Sequence, residues 1–158
     1  MFVLSSVTIF SILALAVVSI IGLSLGVFLQ NRQGATHRIF MILGLVTSCW
    51  LVLTHLSSLP QLVNYYLITA RFTIFFAVPQ STLFFLLAHT IPDVHFKFSS
   101  RKLITITLCT FGVMVLTLTP FVFQDVSLVN GRGSLSIGMG MPLFVGWVSA
   151  FSVGALVV

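Results

Sequence analysis

The chain has 158 residues, of which 58% are hydrophobic and 6% charged, and its formal net charge is +5. This composition excludes a soluble globular domain, in which about a quarter of the residues are charged. The basic residues lie in short connectors between apolar runs and not on one face, which argues against a nucleic-acid-binding surface. The sequence therefore predicts an all-α polytopic membrane protein.

The first apolar run covers residues 2–29, more than the roughly 20 residues that cross a bilayer. A secretory signal peptide is the alternative, but its positive charge precedes the apolar core, whereas Arg32 follows it here. We predict a retained helix with its N-terminus outside. Gly22 and Gly26 form a GxxxG pair, a pattern that lets a neighbouring helix approach closely.

The second apolar run covers residues 39–57 and contains Trp50. The connector before it carries Arg32 and Arg38, which mark the cytoplasmic side because inner loops are enriched in basic residues. His55 is predicted near the outer interface, either approaching Arg71 or lying among headgroups. A mildly polar seam in this run consists of Thr47, Ser48, Thr54 and His55.

The third run, residues 65–91, contains an arginine and a proline. At about 100° per residue, Arg71, Thr82 and His89 share one stripe with Phe75. An arginine in an apolar span faces other helices or water, so we expect Arg71 to point toward the seam of the second helix; snorkelling to the interface is the alternative. Pro79 removes a backbone N–H, which predicts a kink or a packing role.

The next connector carries Lys97, Arg101 and Lys102 against Asp93 and is predicted to be cytoplasmic. Five of the seven Lys and Arg residues fall in the two inner connectors and one, Arg132, in an outer one. This asymmetry sets the predicted orientation.

A fourth run covers residues 103–123 and a fifth 142–158. Between them, residues 126–129 and 135–137 are β-prone pieces around Asn130-Gly131, a strong turn dipeptide. We predict four to five transmembrane helices with a small extracellular β-hairpin between helices four and five. The chain forms a single membrane domain over residues 1–158, expected to be truncated inside or at the end of its fifth helix.

The sequence offers no catalytic constellation, metal site or cofactor site. The two carboxylates, Asp93 and Asp125, lie in connectors predicted on opposite sides of the membrane and cannot act as an acid–base pair. The GRG of residues 131–133 and the GMG of residues 138–140 are predicted to belong to the hairpin and not to the strand-to-helix turn that phosphate binding requires. Cys49 and Cys109 lie inside apolar runs without ligand spacing, and we predict that they are core thiols. The chain is therefore not expected to be an enzyme.

Several segments together resemble the N-terminal seven-helix membrane region of prokaryotic sensor histidine kinases. They are NRQGATHRIFMILGLVTSCW, Arg71 followed by Pro79, LFFLLAHTIP, and LTPFVFQDVSLVNGRGSLSIGMGMPLFVGWV. The places typical of that family are filled by Arg32, Arg38, Trp50, Arg71, Pro79, Phe84, Phe85 and Pro92. Ile91-Pro92 departs from the usual Phe-Pro boundary, and His37 stands where Asn is common. The resemblance covers about five of seven helices and no output domain.

The resemblance implies a sensory input module of a signal-transduction receptor in a prokaryotic inner membrane. Its expected partners are the lipid bilayer, a small-molecule or membrane-derived stimulus and a cytoplasmic effector beyond the C-terminus, with a homodimer also open and no nucleic acid. A small transport or channel component and a membrane scaffold protein remain the alternatives. The candidate ligand or signalling residues are Arg71, His55, Thr82, Pro79 and Trp50.

Overall fold

The computed structural model describes residues 6–90, 99–129 and 132–157. This part of the chain forms five α-helices and one two-stranded antiparallel sheet, which confirms the predicted fold class. The helices are α1 Ser6–Gln30, α2 Ala35–Ser57, α3 Tyr66–Thr90, α4 Ser100–Thr117 and α5 Met141–Leu156; the strands are β1 Phe123–Val129 and β2 Arg132–Ile137. A short 3₁₀ helix, Pro60–Tyr65, precedes α3. Pro92, Asp93, Lys97 and the predicted Asn130-Gly131 turn lie outside the described residues.

Four of the described helices, α1 to α4, are long and apolar enough to cross a membrane. Their 18-residue windows have mean hydropathies of 2.7, 2.0, 1.5 and 1.3 in chain order, and α5 is a shorter apolar helix. Large side chains on the outer surface of α1, including Val7, Leu15 and Val18, are exposed. Water would oppose such exposure, whereas lipid tails accept it, because they are as apolar as the side chains themselves.

Helix α3 lies at the centre of the bundle and contacts α2, α4, α5 and β1, while α1 packs on α2. Its buried residues are Ala70, Val78, Ser81, Thr82, Leu86 and Leu87. The helix continues through Pro79 without interruption. The bundle has two ends: the hairpin end, where α3 begins and β1 contacts it, and the basic end, where the turn with Arg32 and Arg38 connects α1 to α2.

Helices α1 and α2 approach each other closely at Ser24 and Gly44. A Cβ built on Gly44 would overlap the Ser24 side chain, and Ser24 is buried. Ser48 satisfies its hydroxyl locally by donating to the Gly44 carbonyl at 2.8 Å. The GxxxG pair is not the contact face, since nothing lies within 4 Å of a Cβ on Gly22 or Gly26. Small residues therefore set this interface as expected in lipid, but at other positions.

The fourth helix is shorter than predicted, because it ends at Thr117 and not at Phe123. Its last turn closes with 3₁₀-type hydrogen bonds, which span three residues and not four. Leu118 N donates to the Val115 carbonyl and Thr119 N to the Leu116 carbonyl, both at 3.1 Å. Pro120 offers no N–H and disfavours a helical conformation at the residue before it. The apolar residues after Pro120 are therefore free to turn back and enter the hairpin.

The hairpin is longer than predicted and contains a β-bulge. Phe123 pairs with Ile137 and Val126 with Leu135, so that Gln124 and Asp125 face the single residue Ser136. The Ser136 hydroxyl accepts a hydrogen bond from Asp125 N at 2.8 Å and donates to the Asp125 carbonyl at 3.0 Å. A side chain thus replaces the ladder bonds that a bulge removes.

The base of the hairpin is buried against α3. Val122 has no exposed surface and Phe123 is 4% exposed, and both pack with Ala70. Around them lie Leu67, Ile74, Leu116, Leu135 and Met141. The chain after β2 closes this cluster, because Gly138 N donates to the Val122 carbonyl at 2.8 Å. Residues 138–140 connect β2 to α5, so the prediction that they belong to the hairpin is wrong.

Both cysteines are free and exposed. The prediction that they are core thiols is therefore wrong: Cys49 and Cys109 lie on outward faces of α2 and α4. Hydrophobicity alone does not distinguish a thiol inside the bundle from one that faces the surroundings of a membrane helix.

Candidate functional site

The predicted site residues lie in separate places. Arg71 contacts the hairpin base, Thr82 and Pro79 face α4, and Trp50 lines a cleft between α2, α3 and α5. The His55 ring lies beside Phe10 of α1, with 6.4 Å between ring centroids. The structure therefore places Thr82 and Pro79 in one cavity, whereas Arg71, Trp50 and His55 lie elsewhere.

Arg71 connects α3 to the hairpin. Its Nη2 donates to the Phe123 carbonyl at 2.7 Å, and its Nε is buried with no hydrogen-bond partner among the described residues. Within the same residues, no side chain of the α2 seam forms a hydrogen bond with Arg71. The partner is thus the hairpin and not the seam, because α4 ends early and brings Phe123 against α3.

We expect Arg71→Leu to loosen the hairpin from α3. The loss of a hydrogen bond from a charged donor, partly offset by removal of the unpaired Nε, lowers the free energy of unfolding by about 1–2 kcal/mol. Backbone amide exchange in β1, measured by mass spectrometry in lipid nanodiscs, should become faster. Arg101→Leu is the matched control, since Arg101 is exposed at the start of α4. Equal exchange in the two variants would show that Arg71 does not hold the hairpin.

Thr82 is the centre of a hydrogen-bonded chain that joins three helices. Its side chain lies on α3, is 4% exposed, and has Thr110 of α4 and Trp147 of α5 as partners, each at 3.3 Å. Thr110 donates its one hydroxyl proton to the Ile106 carbonyl at 2.7 Å, and an indole N–H is only a donor. Trp147 therefore donates to Thr82, whose own hydroxyl proton has two acceptors within reach, the Thr110 hydroxyl and the Val78 carbonyl at 3.4 Å.

A row of aromatic rings continues from this chain along α3 and α5. Trp147 and Phe151 have centroids 4.7 Å apart, Phe151 and Phe85 5.2 Å, and Phe85 and His89 4.1 Å. The Phe85–Phe151 pair is edge to face, an arrangement that adds about 0.5–1.5 kcal/mol beyond area burial. His89, predicted only as a polar residue near an interface, thus packs on Phe85 of its own helix.

Pro79 and Thr82 line a cavity of about 200 Å³ between α3 and α4. Its other lining residues are Leu83, Leu86, Thr107, Thr110, Phe111 and Met114. The hydroxyls of Thr82, Thr107 and Thr110 are all hydrogen-bonded within the protein. No free polar group is left there to orient a ligand, so this cavity is an apolar packing gap.

The cleft that contains Trp50 has a volume of about 360 Å³. It is lined by Leu43, Thr47 and Trp50 of α2, Ala77, Gln80, Ser81 and Phe84 of α3, and Val148 and Ser152 of α5. Ser81 is satisfied by the Val78 carbonyl at 2.9 Å. Among the described residues, the side chains of Thr47, Gln80 and Ser152 form no hydrogen bond.

Sequence reasoning singled out neither Trp147 nor Gln80. The sequence around Trp147 did not indicate a role, because that role depends on Thr82 of another helix, to which its indole N–H donates. Gln80 did give one: it is the only amide side chain in the α3 sequence and follows Pro79 near the middle of that apolar run. Polar residues inside a membrane span mark contacts or ligand sites.

The basic end carries the predicted topology residues. Arg32, Arg38, Arg101 and Lys102 are all exposed. The α1–α2 turn is closed by Asn31, whose Oδ1 accepts hydrogen bonds from the backbone N–H groups of Gln33 and Gly34 at 3.2 and 3.1 Å. Arg38 Nε donates to the Arg32 carbonyl at 2.8 Å, which holds both arginines at this turn.

Four apolar spans, a central α3 with polar contacts to its neighbours and an uncharged cleft define a multi-pass membrane protein. In the comparisons with known proteins, no family model, curated protein or solved structure matches the chain.

Proposed function

We propose that the chain is the membrane-embedded sensory input module of a signal-transduction receptor of the histidine-kinase type, without catalytic activity of its own. The observation that carries this proposal is the set of side-chain hydrogen bonds by which α3 reaches the hairpin, α4 and α5. One helix is thereby linked to β1, α4 and α5, all of which follow it in the chain. A displacement of α3 has a direct route to the C-terminal part of the chain.

Such a module works by population shift: a stimulus that binds one arrangement of the bundle more tightly increases its population. Taking an equilibrium from 1:99 to 99:1 requires about 5.5 kcal/mol of differential binding. The two bonds of Thr82 are 3.3 Å long and join neutral groups, each worth about 0.5–1.5 kcal/mol. Breaking these two hydrogen bonds therefore costs less free energy than the differential binding of a ligand supplies.

The proposal is tested by reading the gene beyond the codon for Val158 and measuring autophosphorylation or cyclic-dinucleotide formation by the protein it encodes. Thr82→Val removes both inter-helix bonds at nearly constant volume and should change the basal output several-fold. Thr105→Val is the control, because Thr105 is exposed and bonds only to the Arg101 carbonyl of its own helix.

Three results would contradict the sensory function. They are a gene that ends at the codon for Val158, an effector whose output is the same in both variants, and transport of a solute across vesicles by a protein that carries no effector. The last result would instead support the transport or channel alternative.

The proposed location is a prokaryotic inner membrane, with the N-terminus and the hairpin outside and the basic end in the cytoplasm. Single cysteines at Gln33 and Gln124, both exposed, report on the two ends in a background without Cys49 and Cys109. A membrane-impermeant maleimide should label Gln124→Cys in intact cells and Gln33→Cys only after permeabilisation. The opposite pattern would invert the orientation.

A further inference from the structure

We infer that the cleft between α2, α3 and α5 binds an uncharged amphiphile, an apolar chain with one hydrogen-bonding head, that enters from the bilayer. This inference deepens the proposed sensory function and rests on it for its meaning, whereas binding itself is measured without any signalling output. Its starting point is Gln80, whose amide lines the cleft without a hydrogen bond among the described residues.

An amide in this position favours a ligand with a polar group. The Gln80 side chain is half-buried. An amide that meets an apolar environment without a partner costs about 1–3 kcal/mol in proteins and more in hydrocarbon, and no water is available at the centre of a bilayer to satisfy it. Thr47 and Ser152 also lie in the cleft without a hydrogen bond. A hydroxyl, carbonyl or amide head satisfies these groups, whereas a lipid acyl chain leaves them unpaired.

The side chains that line the cleft indicate the charge and the apolar part of the ligand. Trp50 and Phe84 supply aromatic surface, and no titratable side chain lines the cleft. A charged head would have no counter-charge there, which disfavours it strongly at this depth. The ligand is therefore neutral, with an apolar body that partitions into the membrane.

The volume of the cleft suits a small molecule. At about 360 Å³, it lies at the lower end of the range for small-molecule sites, about 300–1,000 Å³.

The experiment uses the 158-residue chain in phosphatidylcholine nanodiscs and brominated probes, which quench tryptophan fluorescence on contact. The probes are ω-bromodecanol, bromodecane, which lacks the head, and ω-bromodecyltrimethylammonium, which is permanently charged. Bromodecanol is expected to quench Trp50 with saturation, and the other two only in proportion to their partitioning. Trp50→Phe should remove the saturable component.

Gln80→Leu should weaken bromodecanol binding about tenfold, the effect of one lost hydrogen bond. Ser152→Leu, at an exposed edge of the cleft, should block binding even if Gln80→Leu fails to fold. Gln33→Leu is the matched control, because Gln33 is exposed in the α1–α2 turn, and should bind like the unaltered chain.

Quenching that never saturates, that is equal for all three probes, or that is unchanged by Gln80→Leu and Ser152→Leu overturns the inference. If bromodecanol binds but leaves effector output unchanged, the site stands and the sensory function fails. If nothing binds while Thr82→Val still alters output, the sensory function stands and this site fails.

Discussion

Gly138→Ala is expected to lower the free energy of unfolding by about 3 kcal/mol, at the upper end of the usual cost of overpacking. A Cβ on Gly138 would overlap the Phe121 carbonyl and lie 3.2 Å from the Pro120 carbonyl oxygen. These neighbours are backbone atoms and cannot rotate away as a side chain does. The same residue donates to the Val122 carbonyl at 2.8 Å, so any shift that relieves the overlap weakens the base of the hairpin.

The measurement is equilibrium unfolding in mixed detergent micelles, monitored by circular dichroism. A smaller backbone entropy in the unfolded chain offsets the loss by only about 0.4–1 kcal/mol. Gly112→Ala is the control: nothing lies within 4 Å of a Cβ there, and alanine in a helix is favoured over glycine by about 1 kcal/mol. Gly138→Ala is expected to lower the free energy of unfolding, and Gly112→Ala to raise it. Equal effects would mean that the Gly138 contact is not close-packed.

Gly44→Leu is expected to separate α1 from α2 and to destabilise the protein by about 3 kcal/mol. Even an alanine Cβ would lie 2.7 Å from the Cβ of Ser24. The Ser24 hydroxyl can rotate, but its Cβ is fixed by the backbone, so the two helices must move apart. Unfolding in mixed micelles measures the loss, and cross-linking between cysteines placed on α1 and α2 measures the separation.

Gly26→Leu is the matched control on α1, because a Cβ at Gly26 meets nothing within 4 Å. It should leave the free energy of unfolding unchanged or raise it by less than about 1 kcal/mol. Combining Ser24→Gly with Gly44→Ala should recover most of the stability lost in Gly44→Ala alone, since neighbouring changes are not additive. A larger loss for Gly26→Leu than for Gly44→Leu would place the helix contact at the GxxxG pair instead.

The cleft and the hydrogen bonds of Thr82 share α3 and α5. Val148 and Ser152 line the cleft, while Trp147, adjacent to Val148, donates to Thr82. Under the proposed function, a ligand that moves α5 in the cleft acts on the bond between Trp147 and Thr82. This arrangement gives the site a direct connection to the contacts that we propose carry the signal.

The fold class was predictable from the sequence because it depends on local properties. A span needs about 20 apolar residues, and the runs that become α1, α2 and α3 are continuous enough to be recognised. The hairpin was also predictable, since β-prone pieces around Asn-Gly form a local pattern. Where the pattern was apolar throughout, as between Thr117 and Phe123, hydrophobicity could not locate the end of α4, although Pro120 marked it.

The sequence by itself thus determined the spans, their order, the hairpin and the basic connectors, all of which follow from composition over short stretches. Only the tertiary structure decided which faces meet. In lipid, an apolar residue gains no hydrophobic free energy by facing another helix, so the pattern did not separate Gly44 from Gly26 or a buried position from exposed Cys49. The partner of Arg71 was likewise set by the path of the chain after Pro120, which brings Phe123 within 2.7 Å of its guanidinium.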